Sequence, residues 1–157
     1  MIRLATVEDA HLIHKIMLSA FEEYRYYDIP SAALYETVNS IEESLKNGAE
    51  KALLYYWDGI PVGSVRFKTD EKALYFFRLS VSPEARGRGI AKAMLTWLEN
   101  HAKEEGLTEV WCKVRMTITK NMQLYQSSGY IIDRVEEVVA SNGIPVHVAT
   151  MKKKLER

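Results

Sequence analysis

The chain has 157 residues, enough for one domain that buries roughly two-thirds of its unfolded surface, and the expected organisation is one domain over residues 1–157. Lys plus Arg and Asp plus Glu number 21 each, so the net positive field that phosphate-backbone binding needs is missing and nucleic acid is not an expected partner. The lone cysteine, Cys112, cannot form an internal disulfide, no apolar run approaches the roughly 18 residues of a membrane span, and Met1–Ala5 lacks a signal-peptide core. A soluble, cytoplasmic protein is expected, with no membrane partner.

Ile2 to Leu4 reads as a short strand, and Thr6 followed by Asp9 resembles a helix N-cap with an acidic first turn. The helix is expected to run to about Tyr24, with Leu12, Ile13, Ile16, Met17 and Ala20 on one face and Glu8, His11, Lys15 and Ser19 on the other. Pro30 and Ser31 interrupt the pattern. A second helical stretch carries Leu34, Val38, Ile41 and Leu45 in phase and ends at Gly48, which suits a left-handed cap.

From Ala52 the period changes to two. Ala52–Trp57, Val62–Lys68 and Leu74–Val81 read as three antiparallel strands, the first pair joined by Asp58-Gly59, whose two residues tolerate the positive φ of a tight hairpin. After Pro83 a helix returns, with Ile90, Met94, Leu95, Leu98 and Ala102 inward and Gly106 at its end. Glu109–Val114 is the next strand, Lys120–Ser128 a short helix ended by Gly129, and Tyr130–Ala140 pairs with Ile144–Met151 across Ser141-Asn142-Gly143. The order is β-αα-βββ-αβ-αββ, an α/β (α+β) layer with a mixed sheet and a crossover between Leu74 and Val114.

The segment Val81-Ser82-Pro83-Glu84-Ala85-Arg86-Gly87-Arg88-Gly89-Ile90-Ala91 leaves a strand, turns through glycines and enters a helix. Small residues there let an anion approach the backbone, and the unpaired amides of a helix start favour negative charge, so the segment suits a diphosphate. The bland alternative is a plain turn. A dinucleotide fingerprint fails because Lys92 stands where its third small residue belongs, and Gly-Lys-Ser/Thr of a nucleotide loop is absent.

Arg86-Gly87-Arg88-Gly89-Ile90-Ala91 resembles the GNAT acetyltransferase signature of Arg or Gln, two residues, Gly, one residue, then Gly or Ala. Asn121 with Leu124-Tyr125-Gln126-Ser127-Ser128-Gly129-Tyr130 is similar to that family's Asn-x-x-x-Tyr-x-x-x-Gly-Tyr/Phe pattern. The resemblance spans Ile2 to about Lys154 and is weakest over residues 20–50. It implies a mixed, mostly antiparallel sheet of six to seven strands flanked by about four helices. It further implies that acetyl-CoA binds first, between the fourth and fifth strands, and gives its acetyl group to a primary amine on a small molecule or peptide.

By the same resemblance, the amides of Arg86, Gly87, Arg88, Gly89, Ile90 and Ala91 hold the CoA diphosphate, with charge added by Arg88. The backbone of Leu79 and Val81 pairs with the pantetheine arm, and Leu79 N–H polarises the thioester carbonyl. Asn121 either contacts CoA or caps a helix. Tyr125 matches the general acid that protonates the leaving thiolate, its other reading being a packed ring. Many relatives carry a glutamate base on the fourth strand; this chain reads Tyr75-Phe76-Phe77-Arg78, so either water relays the proton or another group reaches the site, with Glu22, Glu23 and His147 as base candidates or as plain surface residues.

Tyr24, Tyr26, Tyr27 and Tyr35 among Glu22, Glu23 and Asp28 suit either an acceptor pocket for a cationic amine or helix packing. Cys112, in an apolar strand without a neighbouring histidine, reads as a structural thiol. Two other classes remain: a non-catalytic acyl-CoA-binding or regulatory module, and a nucleic-acid or partner-binding domain using Lys152-Lys153-Lys154. No metal site is expected. An exposed final hairpin makes a homodimer a reasonable expectation.

Overall fold

Residues 1–25, 32–140 and 142–156 are described by a computed structural model. The elements are β1 (Ile2–Leu4), α1 (Ala10–Phe21), α2 (Val38–Lys46), β2 (Lys51–Trp57), β3 (Ile60–Thr69), β4 (Ala73–Val81), α3 (Ile90–Glu104), β5 (Glu109–Arg115), α4 (Thr119–Ser127), β6 (Ile131–Val139) and β7 (Pro145–Lys154). This is the expected order. The sheet has seven strands in the order β1-β2-β3-β4-β5-β7-β6. β4 pairs with β5 in parallel, and the pairs β1/β2, β2/β3, β5/β7 and β6/β7 are antiparallel. The mixed, mostly antiparallel sheet with four α-helices bears out the expected fold class.

The described residues form two compact units, the first from residues 1–68 and 76–95, the second from residues 69–75 and from 96 onward. In the first, Thr6 and Asp9 form a capping box, and Asp9 also takes both ends of the Arg3 guanidinium at 2.8 and 2.9 Å. That clamp starts the chain into α1. Ile13, Ile16 and Met17 of α1 then pack against Ala33, Ile41, Ala52 and Leu54, all nearly or wholly buried, each large side chain contributing roughly 1.5–3 kcal/mol of burial.

Two expectations need correction in this unit. The helix to Tyr24 divides into α1 and a 3-10 turn over Glu22–Tyr24. The second helical stretch divides as well, into a 3-10 turn over Ala32–Tyr35 and then α2. The cause is Thr37, which stands extended at ψ 159° and accepts the Ser40 N–H at 3.1 Å, so it starts a new helix where an interior position was expected. Glu36 is thereby left outside both helices. Pro30 and Ser31 lie outside the described residues. Asp58 and Gly59 both have positive φ, 50° and 78°, which bears out the tight turn between β2 and β3.

The second unit centres on β5, whose Val110, Cys112 and Val114 alternate into the core. Its parallel register joins Ala73, Leu74 and Tyr75 to Glu109, Val110 and Trp111, and β4 continues beyond it from Phe76 to Val81. On the other side β7 runs the full length of β5, reaching Lys154 rather than ending at Met151. The basic tail is therefore strand: Lys153 donates to Glu99 and to the Ser128 carbonyl at 2.9 Å each, and Lys152 pairs with Asp133. β6 is the edge strand and exposes Ile131 and Val139. Ser141, in the last turn, lies outside the described residues.

Candidate functional site

The segment after β4 is shaped by its glycines. Ser82 N–H donates to Val62 O at 2.8 Å, Pro83–Ala85 make a 3-10 turn, and Arg86 is extended. Gly87 and Gly89 follow at φ +79° and +75°, a left-handed backbone that costs a residue with a Cβ about 1–2 kcal/mol. A Cβ at either position would meet nothing within 4 Å, so space rather than protein lies over this backbone. The ladder of α3 opens with Ala93 N–H to Gly89 O at 3.0 Å, leaving the first-turn amides of Ile90, Ala91 and Lys92 ahead of it. An anionic group fits such a turn.

The two arginines of the turn have different partners. Arg86 donates to the Ala20 carbonyl at 3.1 Å and pairs with Glu23 at 3.1 Å, which ties the turn to the end of α1. Arg88 lies over the exposed Trp57 ring, 4.9 Å from its centroid. Beside Arg86 is an open hollow of about 450 Å³ lined by Leu18, Ser19, Glu22, Glu23, Pro83 and Arg86. Of the two base candidates there, Glu22 is held below its ordinary range by the Arg25 guanidinium, 2.6 Å away, and Glu23 is in the Arg86 pair.

Leu79 and Val81 are half-buried on β4, and the residue before Leu79 is unusual. Arg78 has φ +55°, a left-handed conformation rare for a residue of its size. Its Nε donates to Glu36 Oε1 at 2.7 Å. Glu36 also accepts from Arg66 Nη2 at 2.7 Å and Nη1 at 3.2 Å, and Arg66 Nε reaches Glu50 at 3.1 Å. Burial pushes the Glu36 carboxyl up, but the hydrogen bonds from Arg66 and Arg78 outweigh it and hold the group below the ordinary carboxylate range. Arg66, only 4% exposed, is held above its ordinary value by Glu36 and Glu50 against the opposing effect of burial. Sequence reasoning missed this network. Its signal was present: an arginine in the apolar run Val62–Phe67 has to find a carboxylate.

In the second unit, Asn121 and Tyr125 are one turn apart on α4 and share a face. Asn121 lies inside the first turn, and Ile118 occupies the N-cap position, so the capping role is not the one it has. Tyr125 is 7% exposed, with its ring edge-on to Tyr130 at 6.1 Å. Tyr130 O–H donates to Glu99 Oε2 at 2.9 Å, and burial first, then Glu99, pushes its phenol above the ordinary range. Burial also pushes the Cys112 thiol up to about 12, which suits the structural role expected of it. His147 is exposed on β7 opposite Glu137. Of the aromatic cluster, Tyr24 is core, stacked edge-on against Phe21, and Tyr35 is 71% exposed; Tyr26, Tyr27 and Asp28 lie outside the described residues.

The sequence profile of the acetyltransferase (GNAT) family matches residues 12–130. This chain belongs to the GNAT acetyltransferase family. It is 24% identical to S-alkylcysteine N-acetyltransferase of Bacillus subtilis over 92% of its own length and 86% of that protein's. A shorter stretch, 64 residues or 38% of the chain, is 42% identical to rat N-acetyltransferase family 8 member 2, and the match spans about a quarter of that protein's length, 26%. The PaiA N-acetyltransferase of Thermoplasma acidophilum, in complex with coenzyme A, has the same fold at 17% identity, with a TM-score of 0.76 over 98% of this chain and 99% of that one.

The residues matched to the family include the turn at Arg86–Ala91. Among the described residues no helix is long and apolar enough to cross a membrane, and no group of side chains could hold a metal ion.

Proposed function

We propose that the protein, acting as one N-acetyltransferase domain over residues 1–157, moves an acetyl group from acetyl-CoA directly to a primary amine. The observation that carries this reading is the glycine-edged turn ahead of α3, with open space over Gly87 and Gly89 and first-turn amides beside it, in a chain of this family. Acetyl-CoA supplies the activated thioester. The chain's own part begins with the amides of Gly87 to Ala91 holding the diphosphate, helped by the charge of Arg88. Leu79 and Val81 offer β4 backbone to the pantetheine arm, Leu79 N–H draws electron density from the carbonyl, and Asn121 supports the cofactor from α4. Tyr125 gives a proton to the leaving sulfur.

One observation favours a second reading, a non-catalytic CoA-binding module. β4 reads Tyr75-Phe76-Phe77-Arg78, with no carboxylate in the stretch where many relatives have one, and Glu22 and Glu23 are in ion pairs. Calorimetric titration with acetyl-CoA, paired with thiol release across a panel of amines, separates the two. Micromolar binding, lost in a folded Arg88→Glu, Gly89→Glu protein and accompanied by thiol release with at least one amine, supports the enzyme. Binding without release supports the module, and no binding by the wild type sinks both.

A further inference from the structure

We infer that Arg78 selects the acceptor by binding a carboxylate next to the reactive amine, so that the substrates are free α-amino acids rather than simple amines or polyamines. The inference rests on the acetyl-transfer reading above. Two arginines share Glu36, and they differ in what is left over. Arg66 is fully engaged, with Nε on Glu50, Nη1 on Glu36 and the Met17 sulfur, and Nη2 on Glu36. Arg78 gives Glu36 only its Nε, and among the described residues neither of its Nη groups has an acceptor. The side chain is 28% exposed, largely withdrawn from bulk water but not closed off from a ligand. A guanidinium pinned at Nε with both Nη groups open is a fixed donor pair of the kind that takes a carboxylate.

Charge and backbone agree with this. Arg66 and Lys68 lie over the ring of Phe77, the residue before Arg78, at 5.0 and 5.8 Å. The Arg78 guanidinium attracts an acceptor carboxylate and repels a second ammonium. Arg78 also holds its left-handed φ at a cost that glycine or asparagine would avoid, with Ser80 Oγ donating to its carbonyl at 2.9 Å. The arginine thus brings to this point of β4 a guanidinium and nothing the backbone wants. Leu79, whose N–H is assigned to the reacting carbonyl, is the next residue.

The test compares kcat/KM for L-methionine, L-phenylalanine and L-glutamine with that for their α-carboxamides, followed by thiol release from acetyl-CoA. The carboxamides have the less basic amines and offer more free base, so intrinsic reactivity favours them and a preference for the acids has to come from binding. Wild type should prefer the acids by roughly ten- to a hundredfold, the size of a lost charge-assisted contact. Arg78→Gly, which relaxes the backbone, should bring the ratio to about one; if that protein is insoluble, Arg78→Lys should still lower it. Equal rates on acids and amides in wild type, or an unchanged ratio in the variant, would overturn the inference and leave acetyl transfer standing. Acetyl-CoA binding without transfer to any of the six compounds would overturn it too. No acetyl-CoA binding at all would remove the acetyl-transfer reading and this inference with it.

Discussion

Arg86 reaches from the glycine turn to Glu23, with 3.1 Å between Nη2 and Oε1, and places a second hydrogen bond on the Ala20 carbonyl. The side chain thus positions the turn while the backbone is left to meet a ligand. If so, loosening the tether from either end weakens the same thing. Arg86→Ala should raise the Kd for acetyl-CoA about five- to tenfold and Glu23→Gln about two- to fivefold, in line with a half-exposed ion pair plus one charge-assisted bond. The double variant should be no worse than Arg86→Ala alone. Tighter binding by Glu23→Gln would mean instead that Arg86, once released, is itself a phosphate ligand.

The glycines separate binding from packing. Gly89 has open space around it and a left-handed φ, so Gly89→Ala should cost about 1–2 kcal/mol through the backbone and place a methyl group over the amides. Gly63 is the opposite case: its Cβ would sit 2.9 Å from Ile90 Cγ2, 3.1 Å from Tyr55 Cβ and 3.2 Å from Met94 Cε. Overpacking of that kind costs about 1–3 kcal/mol. Both variants should melt below wild type. Saturating acetyl-CoA should raise the Tm of Gly63→Ala as it does that of wild type, and should fail to raise that of Gly89→Ala. Equal ligand shifts would place the diphosphate elsewhere.

Tyr125 is buried against Tyr130, and Tyr125→Phe keeps that ring contact while removing only the hydroxyl. Stability should change by less than about 1 kcal/mol. If the hydroxyl protonates the leaving thiolate, kcat should fall roughly a hundredfold with the KM for acetyl-CoA little altered. Turnover equal to wild type would leave Tyr125 a packing residue.

What the sequence reveals of this protein follows from how local each feature is. Asp58-Gly59 announces its hairpin because both residues take positive φ, and Arg86–Ala91 announces its turn through glycines that have the φ it needs. The order of strands and helices follows from periodicity alone. Thr37 misleads because its neighbours are in helical phase, and only its bond to the Ser40 amide shows that a new helix begins there. The Glu36 network is harder still. Glu36, Glu50, Arg66 and Arg78 come from four separate stretches, and nothing within any one stretch names its partner. The left-handed Arg78 is equally hidden, since no glycine marks it.

Asp9 provides a test of electrostatics away from the site. It accepts the Thr6 amide at 2.8 Å and both ends of Arg3, and the hydrogen bond from Arg3 is the main cause lowering its pKa from 3.8 to about 2, with burial opposing. Because the folded chain binds this proton less readily than the unfolded one, the clamp's contribution is fully present above about pH 4. It is lost as the pH falls toward 2. Arg3 is 37% exposed, so solvent screening keeps the contribution to about 1 kcal/mol. Asp9→Asn should therefore be about that much less stable than wild type at pH 7 by urea unfolding, with the gap closing steadily between pH 4 and pH 2. Other carboxylates, Glu36 among them, are common to both proteins and cancel from the difference. A gap that stays constant down to pH 2 would show that the Asn variant loses shape at the cap rather than charge.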